Sequence, residues 1–170
     1  MKRYALSIVF CVLSASAATA QTEILIEGVW KISEIVTPGT HPRAGGVTRT
    51  QTNPQPSLII FTKAYYSEVY VTGGGPRSSL APAIDVQNLT DAEKIARYEQ
   101  WRPFTANAGR YEIKGTTLTK RASVAKNVEV MTRTTPIIWE LKMEGPNTVW
   151  LVPPADRVAT EPRMKLTRLE

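Results

Sequence analysis

The chain has 170 residues, with 21 basic and 15 acidic side chains, one histidine and one cysteine. That length suits a single domain large enough to bury a real core. The net charge of +6 is mild and its basic residues are scattered, the longest cluster being Lys120-Arg121 with Lys126 nearby, so no nucleic-acid partner is expected. The lone cysteine, Cys11, falls in the first 20 residues, which read as a cleaved segment. The remaining chain has one histidine and no cysteine, so a His/Cys zinc cluster and a Cys–His nucleophile are excluded.

Residues 1–20 read as an export signal. Lys2 and Arg3 give a positive start, Leu6 to Leu13 an apolar run, and Ala18-Thr19-Ala20 a small-x-small cleavage site. The run is too short to span a bilayer. Its Cys11 follows Ile8-Val9-Phe10 rather than small residues, so no lipid anchor is expected. Residues 21–170 then form one cysteine-free domain. Lys2 and Arg3 leave with the signal, lowering the net charge from +6 to +4. A disulfide-free exported chain points to a bacterial secreted or periplasmic setting.

Within that domain, Gly28-Val29-Trp30-Lys31-Ile32-Ser33-Glu34-Ile35-Val36 alternates as a strand, with Trp30, Ile32 and Val36 on one side and Glu34 sharing it. From Pro38 to Pro56 the composition is that of a long irregular loop. Leu58 to Phe61 forms a short apolar strand, and Tyr65 to Val71 a second one rich in aromatic and β-branched residues. Thr90-Asp91-Ala92-Glu93 fits a capping box opening a short helix that Pro103 stops. Arg110 to Lys114 and Thr116 to Val124 pair around Gly115. Ile137 to Met143 and Thr148 to Val152 pair around Glu144-Gly145-Pro146-Asn147, and Pro162 to Leu169 supplies a final strand.

The expected fold is therefore all-β: an eight-stranded antiparallel up-and-down β-barrel, with one short helix inserted between the third and fourth strands. A two-sheet sandwich is the alternative, less favoured because the strand order looks like a meander. Alternation places Trp30, Ile32, Val36, Tyr111, Ile113, Ile137, Trp139, Leu141 and Met143 inward. The two faces of 65–71 are harder to rank. If Tyr66, Glu68 and Tyr70 face inward, Glu68 joins Glu34 as an interior carboxylate needing a partner such as Arg121 or Arg97. The plainer alternative puts these carboxylates at a solvated rim.

Gly28-x-Trp30 in the first strand and Leu166-Thr167-Arg168 in the last resemble the lipocalin pattern. More specifically, the chain is similar to the bacterial lipocalin-like domain family. The matching pieces are Glu27 to Ile32, Ser57 to Thr62 with Tyr65 and Ser67, Phe104 to Ile113, and Met164 to Arg168. Together they cover nearly all of residues 21–170. The resemblance implies a calycin-type barrel whose closed end holds Trp30 under Arg168, with Gly28 beside them as structural residues. It also implies that the long first connection folds over the open end, giving His41, Arg43 and Arg49 a lid role and Arg43 or Arg49 an acidic ligand group to meet.

The function implied is binding of a small hydrophobic or aromatic molecule in the cavity, with Glu34, Tyr66, Glu68, Tyr70, Tyr111, Trp139, Leu141 and Met143 as cavity candidates. No cofactor and no metal are expected, and no catalytic motif is present. Two alternatives stand beside it. One is a small cyclase or isomerase using an interior carboxylate; the other is a ligand-free barrel with a structural or protein-binding role.

Overall fold

The computed structural model describes residues 25–42, 44–72, 75, 77, 79, 80 and 87–170. Residues 1–20, read above as an export signal, Arg43, most of the glycine turn at 73–75 and the stretch around Pro82 lie outside the described residues. The strands are β1 (Gly28–Thr37), β2 (Arg49–Thr52), β3 (Ser57–Phe61), β4 (Tyr65–Val71), β5 (Phe104–Lys114), β6 (Thr117–Ala125), β7 (Ile137–Met143), β8 (Thr148–Val152) and β9 (Arg163–Arg168). The helices are α1 (Asp91–Trp101), between β4 and β5, and α2 (Val128–Thr132), between β6 and β7.

Every pairing is antiparallel. Strands β3 to β9 follow one another as a meander, and β1 pairs with both β3 and β9, so eight strands close on themselves. Closure leaves no long free edge to template aggregation. The ninth strand, β2, corrects the expectation that 38–56 is irregular throughout. It pairs with the upper half of β1 while β3 takes the lower half, so β2 and β3 together form one strand position broken at residues 53–56. Asn53 adopts φ 46 and Pro54 and Pro56 remove donors from the ladder, which explains the break. Two further differences are the short helix α2 and an early start for β5, which begins at Phe104 immediately after the helix stop.

A bulge shapes the first strand. Ile32 stands opposite Leu166, but Glu34, not Ser33, stands opposite Lys165, and Ile35 opposite Met164. One extra residue in β1 turns every following side chain to the other face. Backbone groups at the bulge are taken up locally: Ile32 N–H donates to Ser57 Oγ at 2.8 Å, and Asn53 N–H donates to the Ser33 carbonyl at 2.8 Å.

The barrel's lower end is plugged. Trp30 is fully buried, its indole N–H donates to the Ile26 carbonyl at 2.8 Å, and the Arg168 guanidinium lies 4.2 Å from the ring centroid. Arg168 also donates to the carbonyls of Leu25 and Glu27, tying the incoming chain beneath the floor. Gly28 has φ +132, and a Cβ there would run into the Arg168 guanidinium and the Glu170 carbonyl, so only glycine fits under this clamp. Above the plug, Ile32, Ile59, Phe61, Leu118, Leu141, Val149, Leu151 and Leu166 form one buried cluster. The lower barrel is a packed core.

Candidate functional site

Two features stand above that core: a buried polar network in the wall and a cleft at the mouth. The network comes from β4, β5 and β6. Register sets Glu68 opposite Asn107 and Tyr66 opposite Gly109, all on the inner face. Lys120 lies on the same inner face, two residues after the buried Leu118 and opposite Tyr111. Gly109 leaves β5 bare at that level, so the Lys120 chain can cross it to reach β4. A Cβ on Gly109 would collide with the Arg121 carbonyl and the Ala122 backbone, where the β5–β6 ladder shifts register.

Lys120 Nζ meets Glu68 Oε2 at 2.6 Å, and Asn107 Nδ2 donates to Glu68 Oε1 at 2.7 Å. The Tyr66 hydroxyl donates to Asn107 Oδ1 at 2.7 Å, and Lys120 Nζ lies 4.8 Å from the Tyr66 ring centroid. Glu68 is 5% and Lys120 1% exposed, so both charges are out of water and each is the other's compensation. Both carboxylate oxygens are engaged. This is a structural ion pair with its hydrogen bonds satisfied, and its cation is Lys120 rather than Arg121 or Arg97.

The network raises the tyrosines around it. Burial, and then the Glu68 charge, push Tyr70 up from 10.0 to about 12, against a smaller opposing effect of its hydrogen bond with Thr105. Tyr66 is pushed up by the same two causes in the same order. The folded chain therefore holds the Tyr70 proton that the unfolded chain releases near pH 10. The folded state binds more protons between 10 and about 12, and stability falls as pH rises through that window. Urea denaturation should show this alkaline loss shrinking in Tyr70→Phe; an equal loss in both proteins would remove Tyr70 as its source.

The cleft lies at the end opposite the plug and has a volume of about 910 Å³. Ile35 and Thr37 supply its β1 side, Arg49 and Gln51 its β2 side, and His41 the connection between those strands. Tyr98, Arg102 and Pro103 come from the end of α1, and Lys126, Asn127 and Pro162 close the far side. The β1 bulge brings Ile35 and Thr37 there, and pairing with Gln51 and Arg49 aligns β2 on the same face.

The helix above the cleft is locally well built and loosely seated. Thr90 and Glu93 make both halves of the capping box, with Thr90 N–H donating to Glu93 Oε2 at 2.9 Å. None of its residues is buried; Ile95, Tyr98 and Trp101 are all more than half exposed. Its C-terminal end is tied down by Lys126, whose ammonium donates to the carbonyls of Trp101, Arg102 and Phe104, the last at 2.9 Å. A cation on the last carbonyls of a helix also offsets its dipole.

The sequence-derived cavity candidates fall elsewhere. Tyr66, Glu68 and Leu141 are buried, and Tyr70, Tyr111 and Trp139 are half-buried and packed against the core cluster. The Tyr111 hydroxyl donates to the Thr62 carbonyl at 2.5 Å near the floor. Met143 is 37% exposed at the last position of β7, on the plugged end. Glu34 and Val36 require correction: the bulge turns both outward, Glu34 beside Lys165, and puts Ile35 inward in their place. Of the lid candidates, His41 and Arg49 line the cleft.

Sequence reasoning missed Lys120, Asn107, Tyr98, Arg102 and Lys126. Lys120 carried a readable signal, since it shares a face with Leu118 in an alternating strand, but its place beside Arg121 made it look like surface charge.

No protein-family model matches the chain, and no curated protein does. Among solved structures it is similar to a lipocalin-like protein from Bacteroides uniformis, at 11% identity over 84% of this chain and 97% of that one, with a TM-score of 0.43. The chain's own topology is a closed barrel of eight antiparallel strands in meander order, joined between first and last, with a first-strand Trp under a last-strand Arg, which is the arrangement the lipocalin resemblance implies.

Proposed function

We propose that this lipocalin-like barrel is an exported carrier that takes a small, largely apolar or aromatic molecule into the cleft at its open end. One observation carries the reading. A recess of about 910 Å³ sits at the end opposite the Trp30–Arg168 plug, within the range typical of small-molecule sites. Ile35, Pro103 and Pro162 give it apolar surface, and Tyr98 an aromatic wall. The packed lower barrel limits entry to this upper level, so the ligand lies across the mouth rather than deep along the axis. The export element of the reading rests on the pattern of residues 1–20. The filled core favours a second reading, a ligand-free barrel that acts through its outer surface.

Titration with N-phenylnaphthylamine, an uncharged aromatic fluorophore, separates the two. Residues 21–170 should bind it saturably at one site with a micromolar dissociation constant. Thr37→Trp, which fills the cleft from β1, should weaken binding at least about tenfold, equivalent to about 1.4 kcal/mol. Absence of saturable binding, or equal binding by the filled variant, would favour the ligand-free reading.

A further inference from the structure

We infer that the cleft selects anionic ligands: an apolar or aromatic body bearing one carboxylate or sulfonate-like group, received between Arg49 and Arg102. This rests on the binding reading above and adds the ligand's charge to it. The charged residues lining the cleft are Arg49, Arg102 and Lys126, and none of its described lining residues is acidic. Side chains of one sign around a concave surface focus their field into it and attract the opposite charge.

The two guanidinium groups belong to opposite walls. Arg49 is opposite Thr37 in the β1–β2 ladder, so its side chain leaves on the same face as Ile35 and Thr37. It takes part in none of the ion pairs among the described residues. Arg102 caps the C-terminal end of α1, one turn beyond Tyr98. It holds Glu99 through Nε at 2.8 Å and Nη2 at 2.7 Å, which leaves other donors of its planar fork available. Lys126 is spent differently. Its ammonium is fixed on the carbonyls that end α1, so it adds to the local potential without being free to reach a ligand.

A ligand lying over Ile35 with its ring under Tyr98 would thus have a guanidinium at either side. Guanidinium groups match a carboxylate or sulfonate with paired donors, which an ammonium cannot do. The apolar surface supplies the body's affinity, and the arginines discriminate by charge.

Two probes test this, because anilinonaphthalene sulfonate has the aromatic skeleton of N-phenylnaphthylamine plus one sulfonate. With residues 21–170 at low salt, the sulfonate should bind about tenfold more tightly than the neutral probe. Raising the salt should narrow that gap, since rim charges are screened. Arg49→Gln combined with Arg102→Gln should narrow it to within about twofold, a change expected when exposed charge pairs are lost. Thr37→Trp should abolish tight binding of both probes while circular dichroism still reports a folded chain.

Each outcome decides. If the neutral probe binds as tightly as the sulfonate, or the gap survives loss of both arginines, the charge selection is wrong and the binding reading stands. Retention of sulfonate binding when the cleft is filled overturns the selection at this site. If neither probe binds, both readings fall together.

Discussion

Replacing Lys120 with methionine should lower the unfolding free energy by about 3–5 kcal/mol, because it leaves Glu68 buried without its cation. Methionine fills similar volume, so the loss comes from the carboxylate and not from a cavity. Glu68→Gln in the same chain should restore most of it, since a glutamine oxygen can still accept from Asn107 Nδ2, now at 2.7 Å from Glu68. Urea denaturation of the two single variants and the double variant gives the coupling directly. A nearly neutral Lys120→Met would mean that the pair is hydrated, contrary to the 1% and 5% exposure of its members.

Trp30→Ala should be about as severe, with a loss of about 3–5 kcal/mol for deleting a fully buried tryptophan. The removed ring closes the floor, carries the Arg168 guanidinium at 4.2 Å and anchors Ile26 through its indole N–H. Trp30→Phe keeps an aromatic face for Arg168 but loses the hydrogen bond to the Ile26 carbonyl, so its cost should be clearly smaller. Equal costs for alanine and phenylalanine would assign the stability to the hydrogen bond rather than to burial and the cation–π contact.

These sites differ in how far the sequence exposes them. Trp30 is legible because it lies in a short alternating strand just after Gly28, and its pairing with Arg168 is legible only through the resemblance, since the contact itself depends on the β1–β9 register. The capping box at Thr90 and Glu93 is legible because it is a local exchange of hydrogen bonds. The β1 bulge is not. One inserted residue leaves no compositional mark, yet it turns Glu34 outward, brings Ile35 inward and so decides which residues reach the mouth. β2 hides in a polar stretch because its ladder partner is the already legible β1, and Arg49-Thr50-Gln51-Thr52 needs no apolar side chain to join it.

The network and the cleft are harder still. Glu68 and Lys120 are 52 residues apart, and their meeting requires the β4–β5–β6 register together with the missing side chain at Gly109. The mouth gathers side chains from β1, β2, the end of α1 and the segment after β6, a juxtaposition set by barrel closure. Alternation finds which residues point inward; it does not say at what height the interior stops being filled. That height separates Tyr66, Glu68 and Leu141, which are core, from Ile35, Thr37 and Arg49, which line the cleft.

The central claim is that a ligand enters only at the mouth, and amide chemical-shift mapping during titration with N-phenylnaphthylamine tests it most directly. The shifts should centre on Thr37, Arg49, Gln51, Tyr98, Arg102 and Asn127, leaving Trp30, Leu118 and Leu166 unmoved. Shifts centred on those core residues, or on the outer face at Leu58, Val69 and Val124, would contradict it.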